Sequence, residues 1–174
     1  IIDEINRGNL SKIFGELLML IEKDYRGTKA TLAYNGMPFT VPENLYIIGM
    51  MNTADRSLAM IDYALRRRFS FFEIEPGFES KGFSDYQRTL ENDTFDELIK
   101  KVIELNEEIS RDKSLGKGFC IGHSYFCGRT KKTCTDEWMQ SVVDYDILPM
   151  LQEYWFDDDS KVQRWDNILH GVFQ

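Results

Sequence analysis

The stretch IIDEINRGNLSKIFGE, residues 1–16, is the part of the sequence that decides the fold class. Two isoleucines run directly into the carboxylates of Asp3 and Glu4, and a helical pattern of apolar residues follows from Asn9. An apolar run of this kind is typical of a buried strand of a parallel sheet, whose carboxyl end can present acidic side chains. The sequence therefore predicts an α/β fold with an acidic site at the end of its first strand.

Paired carboxylates at a strand end suit a P-loop nucleotide hydrolase, in which one holds Mg²⁺ and the other polarises the water that attacks the γ-phosphate. Such an enzyme also needs a phosphate-binding loop of the pattern G-x-x-x-x-G-K-[ST]. The only Gly-Lys step, Gly116-Lys117, is followed by Gly118 and so lacks the hydroxyl that would hold the metal. We expect the chain to carry water-activating, sensing and trans-acting elements without its own phosphate loop, and to hydrolyse nucleotide poorly or not at all in isolation.

Composition narrows the class of protein further. The chain has 174 residues, of which 43% are hydrophobic, so it is long enough to form a core. A net charge of −8 predicts no uniform attraction to nucleic acid, and contact with DNA is expected through domains outside this chain. The absence of a long apolar run predicts no membrane span, and three cysteines fit a reducing, cytoplasmic location.

The first part of the chain alternates helix and strand patterns. Residues 9–21 show the apolar spacing of one helix capped by Asn9. Residues 28–41 predict a β-hairpin, because Asn35-Gly36 lies between two strand-like runs. The apolar run Leu45 to Met51 predicts a strand buried on both faces that ends at Asn52.

The second part is mainly helical. A short helix over residues 57–68 and a strand over residues 69–74 are expected to complete the α/β part before Pro76-Gly77. Residues 95–110 and 136–154 then place apolar residues at steps of three and four, which predicts long helices. We therefore expect two domains, an α/β core over residues 1–76 and an α-helical lid over residues 77–174.

Three longer runs resemble one known family: IIDEINRGNLSKIFGELLMLIE, VPENLYIIGMMNTADRSLAMIDYALRRRFSFFEIEPGF and GKGFCIGHSYF. They are similar to the McrB-type GTPases of modified-cytosine restriction systems, which belong to the AAA+ superfamily. The first two runs cover most of residues 1–78, and MNTADRS is the most specific element. The resemblance implies the C-terminal portion of an AAA+ module that starts at the Walker B motif.

By this resemblance, Asp3 organises Mg²⁺ directly or through water, and Glu4 polarises the attacking water. Asn52 is the first sensor, and Asp55 and Arg56 complete a signature around the nucleotide or the subunit interface. Such roles fit the chemistry, since phosphate hydrolysis between subunits needs a base, an amide and a donated arginine.

The resemblance also places Arg67 and Arg68 at the trans-acting arginine-finger positions, with Arg67 favoured and Arg66 structural. The alternative for these arginines is a solvated basic helix end, where positive charge is favourable. His123 falls where the lid approaches base, ribose or phosphate, and the alternative is that it satisfies a loop hydrogen bond.

Two other sets of residues have simpler alternatives. Arg7 and Asn9 stand where the family places interface groups, although a surface charge and a helix cap explain them equally well. Cysteines and a histidine are zinc ligand types, but their spacing here, C-x₂-H-x₃-C-x₆-C, matches no compact zinc site, and no zinc is expected. The residues concerned are Cys120, His123, Cys127 and Cys134.

The resemblance implies an α/β, partial P-loop NTPase (AAA+) core with an inserted β-hairpin, followed by an α-helical lid. It implies a homo-oligomeric ring, expected to be hexameric, that uses Mg²⁺ and hydrolyses GTP. The ring would power DNA cleavage by a separate, McrC-like endonuclease subunit. Two alternatives stay open: an ATP-hydrolysing remodelling protein of the MoxR or dynein-related type, and a non-catalytic assembly fragment.

Overall fold

The computed structural model describes residues 1–15, 17–52, 54 and 63–174. The chain divides into two compact units, Ile1–Glu73 and Ile74–Gln174. Residues 1–73 contain as many basic as acidic residues, so the whole net charge of −8 lies in the second unit.

The first unit begins with two short helices, α1 (Leu10–Phe14) and α2 (Leu17–Leu20). The Asn9 side chain caps α1, because its Oδ1 accepts a hydrogen bond of 2.9 Å from the backbone N–H of Lys12. The prediction of one continuous helix is wrong, because the backbone at Gly15 has a φ of +47° and leaves the right-handed helical region. The predicted cap itself is confirmed.

The predicted β-hairpin is confirmed. Strands β1 (Ala30–Thr31) and β2 (Pro38–Phe39) pair antiparallel, with Ala30 opposite Phe39. Gly36 has a φ of +68°, a conformation that glycine adopts without steric cost and that a tight turn requires. The backbone N–H of Gly27 donates to the carbonyl of Val41 at 2.9 Å, which closes the base of the hairpin.

The two further predicted strands are wrong in the described residues. The segment 45–51 makes one parallel bridge, between Ile2 and Gly49, and its side chains are largely open, with Tyr46 84% and Ile48 58% exposed. Residues 69–74 form no strand, and Phe72 is 90% exposed. A strand covered on both faces needs pairing on both edges and packed layers above and below. The described part of the first unit provides one partner segment and no such layers.

Of the predicted helix over residues 57–68, residues 57–62 lie outside the described residues. The described remainder is the short helix α3 (Tyr63–Arg66). Leu65 of this helix is buried with Ile5, and Phe14, Leu18 and Phe69 pack against this small apolar cluster. The apolar cluster that the described residues of this segment form is therefore small.

The second unit is helical, as predicted. Its helices are α4 (Lys81–Leu90), α5 (Asp93–Arg111), α6 (Asp136–Val142), α7 (Leu148–Tyr154) and α8 (Asp159–His170). Four side chains accept a hydrogen bond from the first turn of the helix they precede, as N-caps do: Ser80, Asn92, Thr135 and Asp158. One apolar cluster joins all five helices and includes the fully buried Phe95, Val102, Met139, Leu151 and Leu169.

Helices α6 and α7 are joined by one π-helical turn, Val143–Ile147. The predicted helix over residues 136–154 is thus confirmed with an irregularity in its middle. Pro149 accounts for its place, because proline has no N–H to donate to the carbonyl of Tyr145 and its ring crowds that carbonyl. A wider turn before the proline relieves both problems.

None of the described helices is both long enough and apolar enough to cross a lipid bilayer.

Candidate functional site

The two carboxylates of the opening motif lie on a tight turn. Asp3 and Glu4 are both exposed, and the backbone N–H of Glu4 donates to Oδ1 of Asp3 at 2.9 Å. Glu4 has a φ of +48°, in the left-handed region, which costs a residue with a side chain on the order of 1 kcal/mol. The Glu4 carboxylate also forms an ion pair with Arg7. Strain at an exposed acidic turn is a feature of functional sites more than of structural ones.

A short parallel ladder brings this turn to the segment that ends at Asn52. Ile2 donates its N–H to the carbonyl of Ile48 at 2.8 Å, and Met50 donates to the carbonyl of Ile2 at 2.9 Å. Ile5 then donates to Met50 at 2.9 Å. Because the two segments run in the same direction, their carboxyl ends lie at the same edge. Asp3 and Glu4 are therefore held beside the end that carries Asn52.

Asn6 makes the side-chain link between the two ends. It is only 7% exposed, and its Nδ2 donates to the backbone carbonyl of Asn52 at 3.4 Å. Among the described residues its Oδ1 is buried without a hydrogen-bond partner. The Asn52 side chain is ordered by its own turn, since its Oδ1 accepts from the N–H of Ala54 at 3.0 Å. The amide NH₂ is the remaining polar group of that side chain.

The three arginines that begin with the last residue of α3 have different environments. Arg66 lies over the ring of Phe71, with its guanidinium carbon 5.7 Å from the ring centroid. Arg67 is exposed and has no ion pair with any described residue. The Arg68 side chain is 16% exposed, and its Nη2 lies 2.5 Å from Oε1 of Glu22. Arg66 and Arg67 are thus both exposed, and Arg66 differs from Arg67 by its contact with the Phe71 ring.

Asp55 and Arg56 lie outside the described residues, so their environment is not part of this site description.

His123 lies in the second unit, where its contacts are with other residues of that unit. Its Nδ1 accepts a hydrogen bond of 3.0 Å from the backbone N–H of Gly77. The ring centroid is 6.1 Å from that of Phe78 and 5.9 Å from that of Phe83, both in edge-on geometry. These contacts are those of the loop hydrogen bond that the sequence left open as the alternative.

Cys120 and Cys127 of the second unit lie near backbone carbonyls and do not surround a common centre. Cys120 Sγ is 3.5 Å from the carbonyl of Asn106, and Cys127 Sγ is 3.3 Å from the carbonyl of His123. Burial raises the pKa of the Cys127 and Cys134 thiols, which disfavours the thiolate that binds metals. Within the described ranges, no three potential ligands are grouped so as to hold a metal ion.

The acidic turn does fit Mg²⁺. Magnesium binds oxygen ligands, keeps several waters and is commonly held by one or two carboxylates. Asp3 and Glu4 supply such oxygens at an exposed turn. The Asn52 amide lies at the end of the neighbouring segment.

Sequence reasoning singled out Asp3, Glu4 and Asn52 as candidates but did not single out Asn6, Glu22 and Arg26. Arg26 donates from Nε to the carbonyl of Ile21 at 2.9 Å and from Nη1 to the carbonyl of Leu45 at 2.8 Å. No periodic pattern marks these three residues, since their partners are backbone groups or lie far along the chain.

Comparisons with known proteins match two different families to two parts of the chain. Residues 1–69 match the family described as AAA domain (dynein-related subfamily), and residues 97–163 match McrB, alpha-helical lid domain. The chain is 54% identical, over 98% of its length, to the type IV methyl-directed restriction enzyme EcoKMcrB subunit of Escherichia coli (strain K12). It is 29% identical, over 68% of its length, to the type II restriction enzyme BsuMI component YdiS of Bacillus subtilis (strain 168). The chain spans 39% of the first relative and 41% of the second.

Proposed function

Since the chain belongs to the McrB-type AAA+ proteins, we propose that it is the C-terminal part of an AAA+ module that hydrolyses GTP within a longer parent protein. Residues 1–76 would form the end of the α/β core, with its inserted β-hairpin, and residues 77–174 the helical lid. The observation that carries the proposal is the parallel ladder that holds Asp3 and Glu4 beside Asn52.

Each residue of this site has a proposed role that its surroundings support. Asp3 would hold Mg²⁺ directly or through water, and the bound ion would neutralise phosphate charge in the transition state. Glu4 would accept a proton from the attacking water, for which its ion pair with Arg7 must open. The side-chain NH₂ of Asn52 would donate to that water or to the γ-phosphate, while its Oδ1 accepts from Ala54.

Two arginines after α3 are proposed to serve the neighbouring subunit of a ring. Arg67 is exposed and suits a finger that reaches another subunit's nucleotide. Arg68 matches a finger position too, but its pair with Glu22 assigns it first to holding this segment. Asp55 and Arg56 are proposed to complete the signature at the nucleotide or interface, and His123 to stabilise the lid.

The names of the relatives support a place in DNA restriction. Both are described as parts of restriction enzymes, one as a subunit and one as a component. We propose that the parent protein forms a hexameric cytoplasmic ring that works with a separate, McrC-like endonuclease subunit. DNA recognition would belong to domains outside this chain. The match to the dynein-related subfamily favours one alternative, an ATP-hydrolysing remodelling protein.

Turnover by the parent protein, including its phosphate loop, tests the proposal. We expect GTP to be hydrolysed faster than ATP, and Glu4→Gln to lower kcat at least about a hundredfold because the base is lost. Glu43→Gln, an exposed glutamate of the same unit, is the matched control and should keep full activity. Preference for ATP would support the remodelling alternative, and absence of turnover with either nucleotide would support an assembly role.

Mixed rings test the role of Arg67. Arg67→Ala subunits keep their own carboxylates, and Glu4→Gln subunits keep their arginine, so each variant alone should be inactive. Mixing them should restore part of the turnover, because a Glu4→Gln subunit can supply its arginine to the site of an Arg67→Ala neighbour. If mixing restores nothing while both variants still assemble, Arg67 does not act in trans.

A further inference from the structure

Two arginines from distant parts of the chain converge on the turn Ile21–Glu22, which directly follows α2. Arg26 donates to the backbone carbonyl of Ile21, and Arg68 pairs with the carboxylate of Glu22. Arg26 therefore holds the backbone of the turn, while Arg68 holds its side chain. This turn was not among the residues singled out by sequence.

Arg26 also holds the far side of the hairpin. From Nη1 it donates to the carbonyl of Leu45 at 2.8 Å and to that of Pro42 at 3.4 Å. A guanidinium is a rigid planar fork, so carbonyls bound to its Nε and Nη1 are kept at a fixed separation. Arg26 thus fixes the distance from the Ile21–Glu22 turn to Leu45.

Leu45 begins the segment that ends at Asn52. Further along this segment, Ile48 and Met50 form the parallel ladder with Ile2 and Ile5. The segment that leads to Asn52 is therefore anchored at two places, at Leu45 by Arg26 and at Ile48 and Met50 by the ladder. Loss of Arg26 would leave one end of the segment unanchored.

The ion pair of Glu22 and Arg68 anchors the arginine run, as Arg26 anchors the segment that begins at Leu45. The side chain of Arg68 is 16% exposed and that of Glu22 38% exposed, so the pair is shielded more than a fully solvated one. Arg68 directly follows Arg67, so a fixed Arg68 side chain limits the directions in which the Arg67 side chain can point. Without the Glu22 carboxylate, a largely buried positive charge would lose this ion pair, and the segment would be held less firmly.

We propose that the Ile21–Glu22 turn couples the Asn52 segment to the arginine-finger segment, with Arg26 and Glu22 as positioning residues. The inference rests on the proposed function, in which Asn52 serves the subunit's own nucleotide and Arg67 serves a neighbour's. It predicts two separable defects, one in each of these sites.

Arg26→Gln in the parent protein tests the first. We expect kcat for GTP to fall about tenfold to a hundredfold with KM unchanged, because Asn52 is misplaced while the nucleotide is still bound. Arg26→Lys should be nearly as defective, since one ammonium cannot replace the fork. Lys29→Gln, an exposed cation of the same loop, is the control and should behave as wild type.

Glu22→Gln tests the second defect by mixing. Rings made of Glu22→Gln and Glu4→Gln subunits should recover turnover, because the latter offer a correctly placed Arg67 to the intact sites of the former. Rings of Arg26→Gln and Glu4→Gln subunits should not recover, since the Arg26→Gln defect lies in the subunit's own site. Equal behaviour of the two mixtures would overturn the assignment.

Hydrogen exchange tests positioning without turnover. In Arg26→Gln the backbone amides of Ile2, Ile5 and Met50 should exchange faster, while that of Val102 in the lid should not change. If wild-type protein shows no Glu4-dependent hydrolysis, the proposed function fails. Hydrogen exchange then still tests whether Arg26 holds the Asn52 segment in place. If wild type is active and both variants match it in kcat and exchange, this inference alone fails.

Discussion

At the scale of single residues, the Asp112 carboxylate stabilises the lid through several hydrogen bonds. Asp112 directly follows α5, and its Oδ1 accepts from the backbone N–H of Ser114 at 2.8 Å and from the Ser114 hydroxyl at 2.6 Å. Its Oδ2 accepts from Trp155 Nε1 at 3.0 Å and Lys161 Nζ at 3.1 Å. The bonds from Ser114, then Trp155 and Lys161, hold the pKa of Asp112 far below its usual range, against the smaller effect of burial.

Asp112→Asn is expected to lower the free energy of unfolding of the lid by about 2 kcal/mol at neutral pH, because charge-assisted hydrogen bonds are lost. The lowered pKa sets the direction of the pH effect: the wild-type advantage exists above the ordinary carboxyl pKa of 3.8 and is lost as pH falls through the folded value. Denaturant unfolding followed by tryptophan fluorescence measures it. Asp157→Asn, at an exposed position, is the control, and an equal loss there would refute the prediction.

The residues of the candidate site differ in whether a sequence pattern indicates them. Asp3, Glu4 and Asn52 could be singled out as candidates from the sequence, because each follows an apolar run and parallel segments end at a common edge. Asn6, Glu22 and Arg26 could not, because a buried amide or a guanidinium bound to carbonyls leaves no periodic signal. Glu4 in the left-handed region is also invisible to pattern, since glutamate has no preference for it.

At the scale of elements, Gly49 allows the two ladder segments to approach. A Cβ at this position would lie 2.6 Å from Cδ1 of Ile5, a buried side chain. Gly49→Ala should therefore lower the stability of the first unit by about 1–3 kcal/mol. Gly82→Ala in α4 is the matched control, because a Cβ there meets nothing within 4 Å and alanine favours helix.

Ile5→Val removes the clashing Cδ1 and provides the second half of this test. The double variant of Gly49→Ala and Ile5→Val should be more stable than the sum of the single effects predicts, a coupling measured by a double-mutant cycle. Strict additivity would show that the two segments are not in contact in solution.

His170 joins α8 to the π-helical turn. Its Nδ1 is 2.7 Å from Oδ1 of Asp166, and its Nε2 is 3.0 Å from Oδ1 of Asp144. Burial alone would lower the pKa of His170, but the hydrogen bonds from Asp166 and the charges of both aspartates outweigh it and raise the pKa.

A raised histidine pKa means that the protonated form stabilises the fold. This stability is complete below the ordinary pKa of 6.5 and is lost as pH rises through the higher folded value. Unfolding of the wild type and of His170→Gln should therefore differ most below about pH 6 and converge as the pH rises above the folded pKa. A difference that is independent of pH would contradict this role.

Two elements specified by local sequence were predicted correctly, whereas two strands that depend on distant partners were not. The hairpin was predictable because Asn35-Gly36 specifies its own turn, and α5 because 3.6-residue spacing is a local signal. The strands expected over residues 45–51 and 69–74 were not formed, because strand formation depends on neighbours that sequence pattern cannot supply. The π-helical turn before Pro149 was likewise a response to one residue within an otherwise regular pattern.

At the scale of the whole molecule, the two units differ in how they are stabilised. The second unit has a continuous core drawn from all five of its helices. Among the described residues of the first unit, the apolar cluster consists of Ile5 and Leu65 with a few partly buried neighbours, and Leu20, Ile21 and Val41 are buried outside it. The first unit also leaves large apolar side chains open, among them Tyr46, Phe72 and Ile48. Burial of apolar surface is the main favourable term in folding, so the free energy of unfolding is concentrated in the lid.

This asymmetry predicts that the fragment 74–174 folds alone and cooperatively, while the fragment 1–73 does not. The lid fragment should unfold at the same denaturant concentration as the lid within the whole chain, because its core lies within its own residues.

The charge of this unit gives a second prediction. Because the whole net charge of −8 lies on it, salt should raise the unfolding midpoint of the fragment by screening self-repulsion. Circular dichroism of both fragments and of the whole chain, at low and moderate salt, measures both effects. A lid fragment that unfolds well before the whole chain would show that the first unit contributes stability that its small core does not explain.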